Sequence, residues 1–238
     1  MKAGAPIRKV RVVSAAFSVL ELMIVVAVIA LLVVIFLPRW TLIQYRRSSR
    51  LSCANNQKQI GLAFRTWALD NNDRFPMQVP VTNGGTMELV PAGNVWPHFV
   101  AMSNELSTPK ILVCPVELRA NKRQIADVFA PIPSGASPYQ SSPLTNDDRV
   151  SYFIGLDATN SKPNTWLGGD HNLQFGGKPA AHGLHSVWTN TPVRWNNPWH
   201  EDGGYILLSD GSVSLVTSKD LNSSLTAGGE ATNHFVMP

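Results

Sequence analysis

His200 and Asp210, with Gly211 directly after, are the pair in this chain whose types and spacing invite a chemical reading. An imidazole titrates near neutral pH and ligates metals, and a carboxylate nearby can serve as a second ligand or orient the ring. Asp170-His171, His182 and His185 add further nitrogen and oxygen ligands in glycine-rich surroundings. Asp147, Asp148, Asp202 and Asp210 supply the hard oxygens that Ca2+ favours, although their spacing is not that of an EF-hand loop. A plainer reading stands beside these: Asp210 and Gly211 build a turn, and His200 hydrogen-bonds across it. The motifs therefore imply no metal and no cofactor, with His200 and Asp210 as candidate ligands and Ca2+ as the alternative. Nucleophilic catalysis has less support. The chain has no Gly-x-Ser-x-Gly, no His-Glu-x-x-His and no phosphate-binding Gly-rich loop, and Ser209 beside Asp210 is an ordinary strand serine. Trp166, Trp188, Trp195 and Trp199 either form a carbohydrate or protein contact surface or pack the loops around them.

Glu21 raises a different kind of chemistry. It is the one charge in an apolar run over residues 17–37, whose helix would be roughly 31 Å long, the thickness of a bilayer's hydrocarbon core. A carboxylate there costs at least about 2.5 kcal/mol in lipid, so it needs a partner or must snorkel to the interface. Before the run lies a basic leader containing Lys2, Arg8, Lys9 and Arg11 and ending in small residues. The run is longer than the core of a secretory signal, and the small residues lie on its near side rather than at its far end.

The elements that position these residues follow from periodicity and breakers. Beyond Pro38, Trp40, Ile43, Arg47 and Leu51 share one helical side, and Ile60, Ala63, Phe64, Trp67 and Ala68 recur at helical spacing. Asp70, Asn71, Asn72 and Asp73 end the helix near Leu69. From 82 to 197 short apolar runs at 111–113, 152–156 and 186–188 read as strands, and 126–129 as a helical turn. Residues 204–216 read as two strands about an Asp210-Gly211 turn. The fold class expected is α+β, a long N-terminal helix packed on a small antiparallel sheet with long loops. The formal net charge of +4 equals the four basic leader residues, leaving no basic field that would favour nucleic acid. About 170 residues beyond the helix suffice for one domain with its own core.

With Ala16, Phe17 and Glu21 in these positions and Pro38 at the end of the apolar run, the chain resembles the type IV prepilins and type II secretion pseudopilins. The resemblance implies cleavage between Ala16 and Phe17, where Ala16 stands in place of the usual Gly, and N-methylation of Phe17. It also gives Glu21 a partner, the new N-terminal amine of a neighbouring subunit. Residues 53–63, 110–115 and the His200-x9-Asp210-Gly211 element resemble those of a pseudopilin-like group named for that last motif. An even pair of cysteines, Cys53 and Cys114, outside the cytoplasm would clip the helix to the domain as a disulfide.

The organisation implied is a leader over 1–16, a membrane and filament-core helix over 17–38, its amphipathic continuation over 39–70, and an extracytoplasmic domain over 71–238. The function implied is that of a bacterial filament subunit, non-enzymatic, anchored once in the inner membrane with its domain in the periplasm. Its partners would be the prepilin peptidase and N-methyltransferase, copies of itself or other pseudopilins, and the inner-membrane assembly platform. Basic residues flank the span equally, so this orientation rests on the resemblance. The alternatives are a membrane-tethered metal-dependent hydrolase using His200 and Asp210, and a tethered carbohydrate-binding module using the loop tryptophans.

Overall fold

The computed structural model describes residues 18–120, 122–129, 141–196 and 203–238. The chain divides into two compact units, residues 1–46 and 47–238. In the first unit the described structure is helix, the opening part of α1 (Val19–Asp70).

In the second unit, residues 47–70 of α1 carry a buried stripe. Ser49, Cys53, Gln57, Ile60, Phe64 and Trp67 are buried at intervals of three or four, the spacing of one helical face. Leu51 differs from expectation: it is exposed, because Ser49 and Cys53 on either side of it hold the buried face. The helix ends as its composition predicts. Asn72 and Asp73 take positive φ values of 56° and 58°, Asp73 N–H returns to the Ala68 carbonyl, and the Asn71 amide donates to the Trp67 carbonyl at 2.8 Å. Short polar side chains tolerate that left-handed conformation and so stop a helix.

Residues 76–119 form short helical turns. Helices α2 (Trp96–Ala101), α3 (Ser103–Leu106) and α4 (Pro115–Arg119) are joined by 3-10 turns. Several open on a proline, whose fixed φ suits the first helical positions and whose missing N–H is not needed there. The 111–113 run is one correction to the sequence reading. It belongs mainly to a 3-10 turn, Pro109–Leu112, started by Pro109 and by the Thr108 hydroxyl accepting from Lys110 N–H. Residues 126–129 are another: Val128–Phe129 is a two-residue strand, β1, paired in parallel with β2 (Pro143–Leu144).

The remaining strands are β3 (Tyr152–Gly155), β4 (Trp166–Asp170), β5 (Leu173–Phe175), β6 (Lys178–Pro179), β7 (Gly183–Trp188), β8 (Val193–Trp195), β9 (Gly203–Leu208), β10 (Val213–Thr217) and β11 (Thr232–Met237). Six form an antiparallel sheet in the order β10-β9-β4-β3-β11-β7, and β6-β5-β8 form a smaller one. The protein is thus a mixed helix and sheet structure of the α+β kind, with a main sheet larger than expected. Both faces of that sheet are covered. Tyr152, Ile154, Leu207 and Val236 join the core that includes Ile60 and Phe64 of α1. Their alternate neighbours Phe153, Ile206, Phe235 and Met237 join a second core with Trp195 of β8 and Leu221 and Leu225 of α5 (Leu221–Thr226). Period-two alternation here separates two apolar faces instead of core from solvent, so the central strands read as continuous apolar runs.

Two glycines make close approaches possible. A Cβ on Gly204 would lie 2.6 Å from the Trp195 ring. One on Gly61 would lie 2.6 Å from Leu207 Cδ1 and 3.3 Å from Gly211 Cα, so α1 meets the β9–β10 turn backbone-close.

Candidate functional site

In the first unit, the segment Val19–Phe36 has a mean hydropathy of 3.3, and none of it is buried within the chain. At about 1.5 Å per residue it is roughly 27 Å long, enough to cross a membrane. Leu20, Met23, Ile24, Leu31 and Phe36 are each more than half exposed, a contiguous apolar surface that water does not favour. Glu21 sits in the first turn of α1, where a carboxylate also complements the positive end of the helix dipole. Ala16 and Phe17 lie outside the described residues. Pro38 falls within α1, which continues to Asp70.

The β9–β10 turn fixes Asp210 and Gly211. The Asp210 carboxylate accepts from Ser212 N–H at 2.8 Å, while Gly211, at φ 83°, donates its N–H to the Leu208 carbonyl at 2.9 Å. Both residues therefore do the work of a turn, and His200, their proposed partner, lies outside the described residues. Buried Ser209 donates its hydroxyl to the Thr165 carbonyl at 3.2 Å. Cys53 and Cys114 form a disulfide with a Cα separation of 5.3 Å, joining α1 to the residue before α4.

A denser polar constellation lies between α1, α4 and the start of the β4–β5 connection. Asp170 is fully buried at the end of β4; one of its oxygens accepts from Gln57 Nε2 at 3.0 Å and the other from Tyr205 N–H at 2.7 Å. Burial pushes its carboxyl up to about 7, with the Tyr205 N–H and Gln57 bonds opposing and the Glu117 charge adding to the rise. Burial also raises Glu117, against the Ser151 hydroxyl and the charges of Arg123 and Lys122. His171 is lowered to about 4, first by burial and then by the Arg123 charge. Its tautomer follows from its neighbours: Arg123 Nη2 donates to Nε2 at 3.1 Å, so Nδ1 carries the proton and donates to the Ser151 carbonyl at 3.1 Å.

Neither a protein-family model, nor a curated protein, nor a solved structure matches the chain.

The sequence reading singled out Asp170 and His171 as ligands but missed Glu117 and Arg123, which lie 54 and 48 residues before His171. Their one local signal is an acid placed just after the Cys114-Pro115 turn. His182 and His185 do not join this group. His182 Nε2 contacts Asp147 Oδ2 at 2.9 Å, and His185 Nε2 lies 2.7 Å from the Ala181 carbonyl. Asp147, a calcium candidate, accepts from Val95 N–H at 3.0 Å and Trp96 N–H at 2.8 Å, holding the start of α2. Among the described residues no group of three or more His, Cys, Asp or Glu is placed to hold a metal. The tryptophans also part company. Trp166 and Trp195 are buried strand residues donating to Ser224 Oγ at 3.1 Å and the Val216 carbonyl at 2.8 Å, contrary to a loop surface. Trp188 of β7 is exposed, and Trp199 lies outside the described residues.

Asp170 gives a prediction with a definite sign. Its folded pKa, about 7, is above the ordinary value of 3.8, so the folded state binds the extra proton between them. Its contribution to stability is complete below pH 4 and is lost as pH rises toward 7, by on the order of 1.4 kcal/mol per pH unit. Asp170→Asn keeps the shape and removes the titration. Urea unfolding at pH 4.5 and 7.5 should show the variant gaining on the parent as pH rises; a constant difference would refute a raised Asp170.

Proposed function

We propose that the chain is a structural filament subunit of the type IV pilin or pseudopilin kind, cut between Ala16 and Phe17 and assembled through its apolar helix. The observation that carries this is the apolar surface of Val19–Phe36, interrupted only by Glu21. A bilayer covers such a surface while the protein is a single-pass membrane protein, and neighbouring copies of the same helix cover it equally well once the subunits leave the lipid. Lipid gives Glu21 no partner, whereas the N-terminal amine of an adjacent subunit does. Pairing the two charges offsets the desolvation that isolates each, and only one axial register brings them together.

The second unit suits this role mechanically. Its own stretch of α1, from Ser49 to Trp67, is held to the rest of the unit by a buried stripe and the disulfide, which suits it to carry load. The prepilin peptidase and methyltransferase, an inner-membrane assembly platform and further copies of the chain are the partners this reading requires, with the second unit on the periplasmic side.

Intact-mass and N-terminal peptide spectrometry of the protein from its native membranes tests the proposal. The expected chain begins at Phe17 and carries a methyl on its amine. A chain beginning at Met1 would overturn processing and leave Val19–Phe36 as a plain anchor.

A further inference from the structure

A cavity of about 300 Å3 opens beside the polar constellation, at the lower end of the range for small-molecule pockets and the size of one hexose residue. Glu117 lines it with only 2% of its surface exposed. The Ser151 hydroxyl approaches its carboxylate, yet neither carboxylate oxygen meets a donor in good hydrogen-bonding geometry. His171 Nδ1 lies 3.4 Å and the Arg123 guanidinium Nε 3.7 Å from its oxygens, and the His171 proton is directed to the Ser151 carbonyl. A buried acceptor left in this condition is costly, and Glu117 belongs to the cavity wall.

The surroundings decide what would satisfy it. An anion is disfavoured by Glu117 itself, and Arg123 cannot offer a free fork. Its Nη1 donates to the Asp147 carbonyl at 2.7 Å, its Nη2 to His171, and its Nε faces Glu117. An ammonium is disfavoured by Arg123 and Lys122, both close enough to act on Glu117. A neutral hydroxyl suffers neither conflict. The walls extend the same preference: Asn196 brings an amide that both donates and accepts, while Leu173 and Ala180 give an apolar side against which C–H groups can lie.

We propose that this cavity binds a neutral, hydroxyl-rich ligand, a single sugar residue, with one hydroxyl donating to Glu117. The site is independent of filament assembly. It also differs from a tryptophan surface, since no tryptophan is among the described residues that line it.

The test uses the full chain in a detergent without a sugar headgroup. Glucose, galactose, mannose and N-acetylglucosamine are titrated by calorimetry, with inorganic phosphate and glycine as charged controls. Saturable binding of at least one sugar is expected, weakened about tenfold or more by Glu117→Gln. Ala180→Trp, at the cavity's less buried wall, is expected to abolish binding by filling the space. Circular dichroism checks that each variant folds, and the second keeps the test valid if the first does not. Absence of saturable sugar binding, binding unchanged in folded variants, or preferential binding of phosphate or glycine would each overturn the proposal. A disaccharide ending in the preferred sugar separates the two sources: equal affinity identifies a glycan terminus, and its rejection a free sugar.

Discussion

Breaking the Cys53–Cys114 bridge is expected to lower the melting temperature of the second unit by on the order of 10 °C. The disulfide spans 61 residues, and closing a loop of that size restricts the unfolded chain by about 4 kcal/mol. For a unit of this size that corresponds to the stated shift. The partners are well placed for the full effect, because both cysteines are buried and Cys114 N–H is held by the Ser151 hydroxyl at 3.0 Å. Thermal unfolding of the full chain, followed by circular dichroism with and without reductant and repeated on a Cys53→Ala, Cys114→Ala double variant, provides the measurement. Equal melting temperatures for oxidised and reduced protein would show that the bridge contributes nothing to stability. Reduction should leave the double variant unaffected, which separates the bridge from any other action of the reductant.

Glu21→Ala is expected to leave membrane insertion intact and to reduce assembled filaments to a small fraction of the parent level. Removing the charge makes the segment more apolar, so insertion gains by up to about 2.5 kcal/mol, the cost of a charge at a span's centre, and Glu21 lies in its first turn. In the proposed filament, assembly would lose, because the neighbour's amine would enter an apolar environment with no counter-charge, and truncating one member of a buried pair costs about 3–5 kcal/mol. Glu21→Gln should fall between the two, keeping a hydrogen-bond acceptor without the charge. Subunit abundance in membranes and in filaments sheared from the cell surface gives the two readouts. Parent-like filaments from the Ala variant would remove Glu21 from the assembly mechanism.

How legible the fold was depended on how local its causes are. The end of α1 is written in Asn71, Asn72 and Asp73, and the β9–β10 hairpin in Asp210-Gly211, because these residues impose their own backbone angles. Residues 111–113 and 126–129 were misread for the opposite reason. Pro109 and the Thr108 hydroxyl override the strand preference of Ile111 and Val113, while Val128 and Phe129 become a strand only through a partner 15 residues away. Trp195 likewise looks like a loop residue until Gly204 is seen to clear space beneath its ring. Of the sites, the apolar helix with Glu21 was readable from composition. The Glu117, Arg123 and His171 group was not, since it forms only when α4 and the end of β4 are brought together by the fold.

The placement of β11 between β3 and β7 has a consequence for how the chain is made. Strands β3 and β7 have no other common neighbour, so the sheet stays split until residues 232–237 arrive and zip both sides, long after α1 has emerged. Such distant pairing makes folding slow, and its cost falls before its reward. A chain emerging in sequence order would therefore keep this sheet open, and pliable, until that strand is added. Only with residues 232–237 in place would its two halves move as one rigid body.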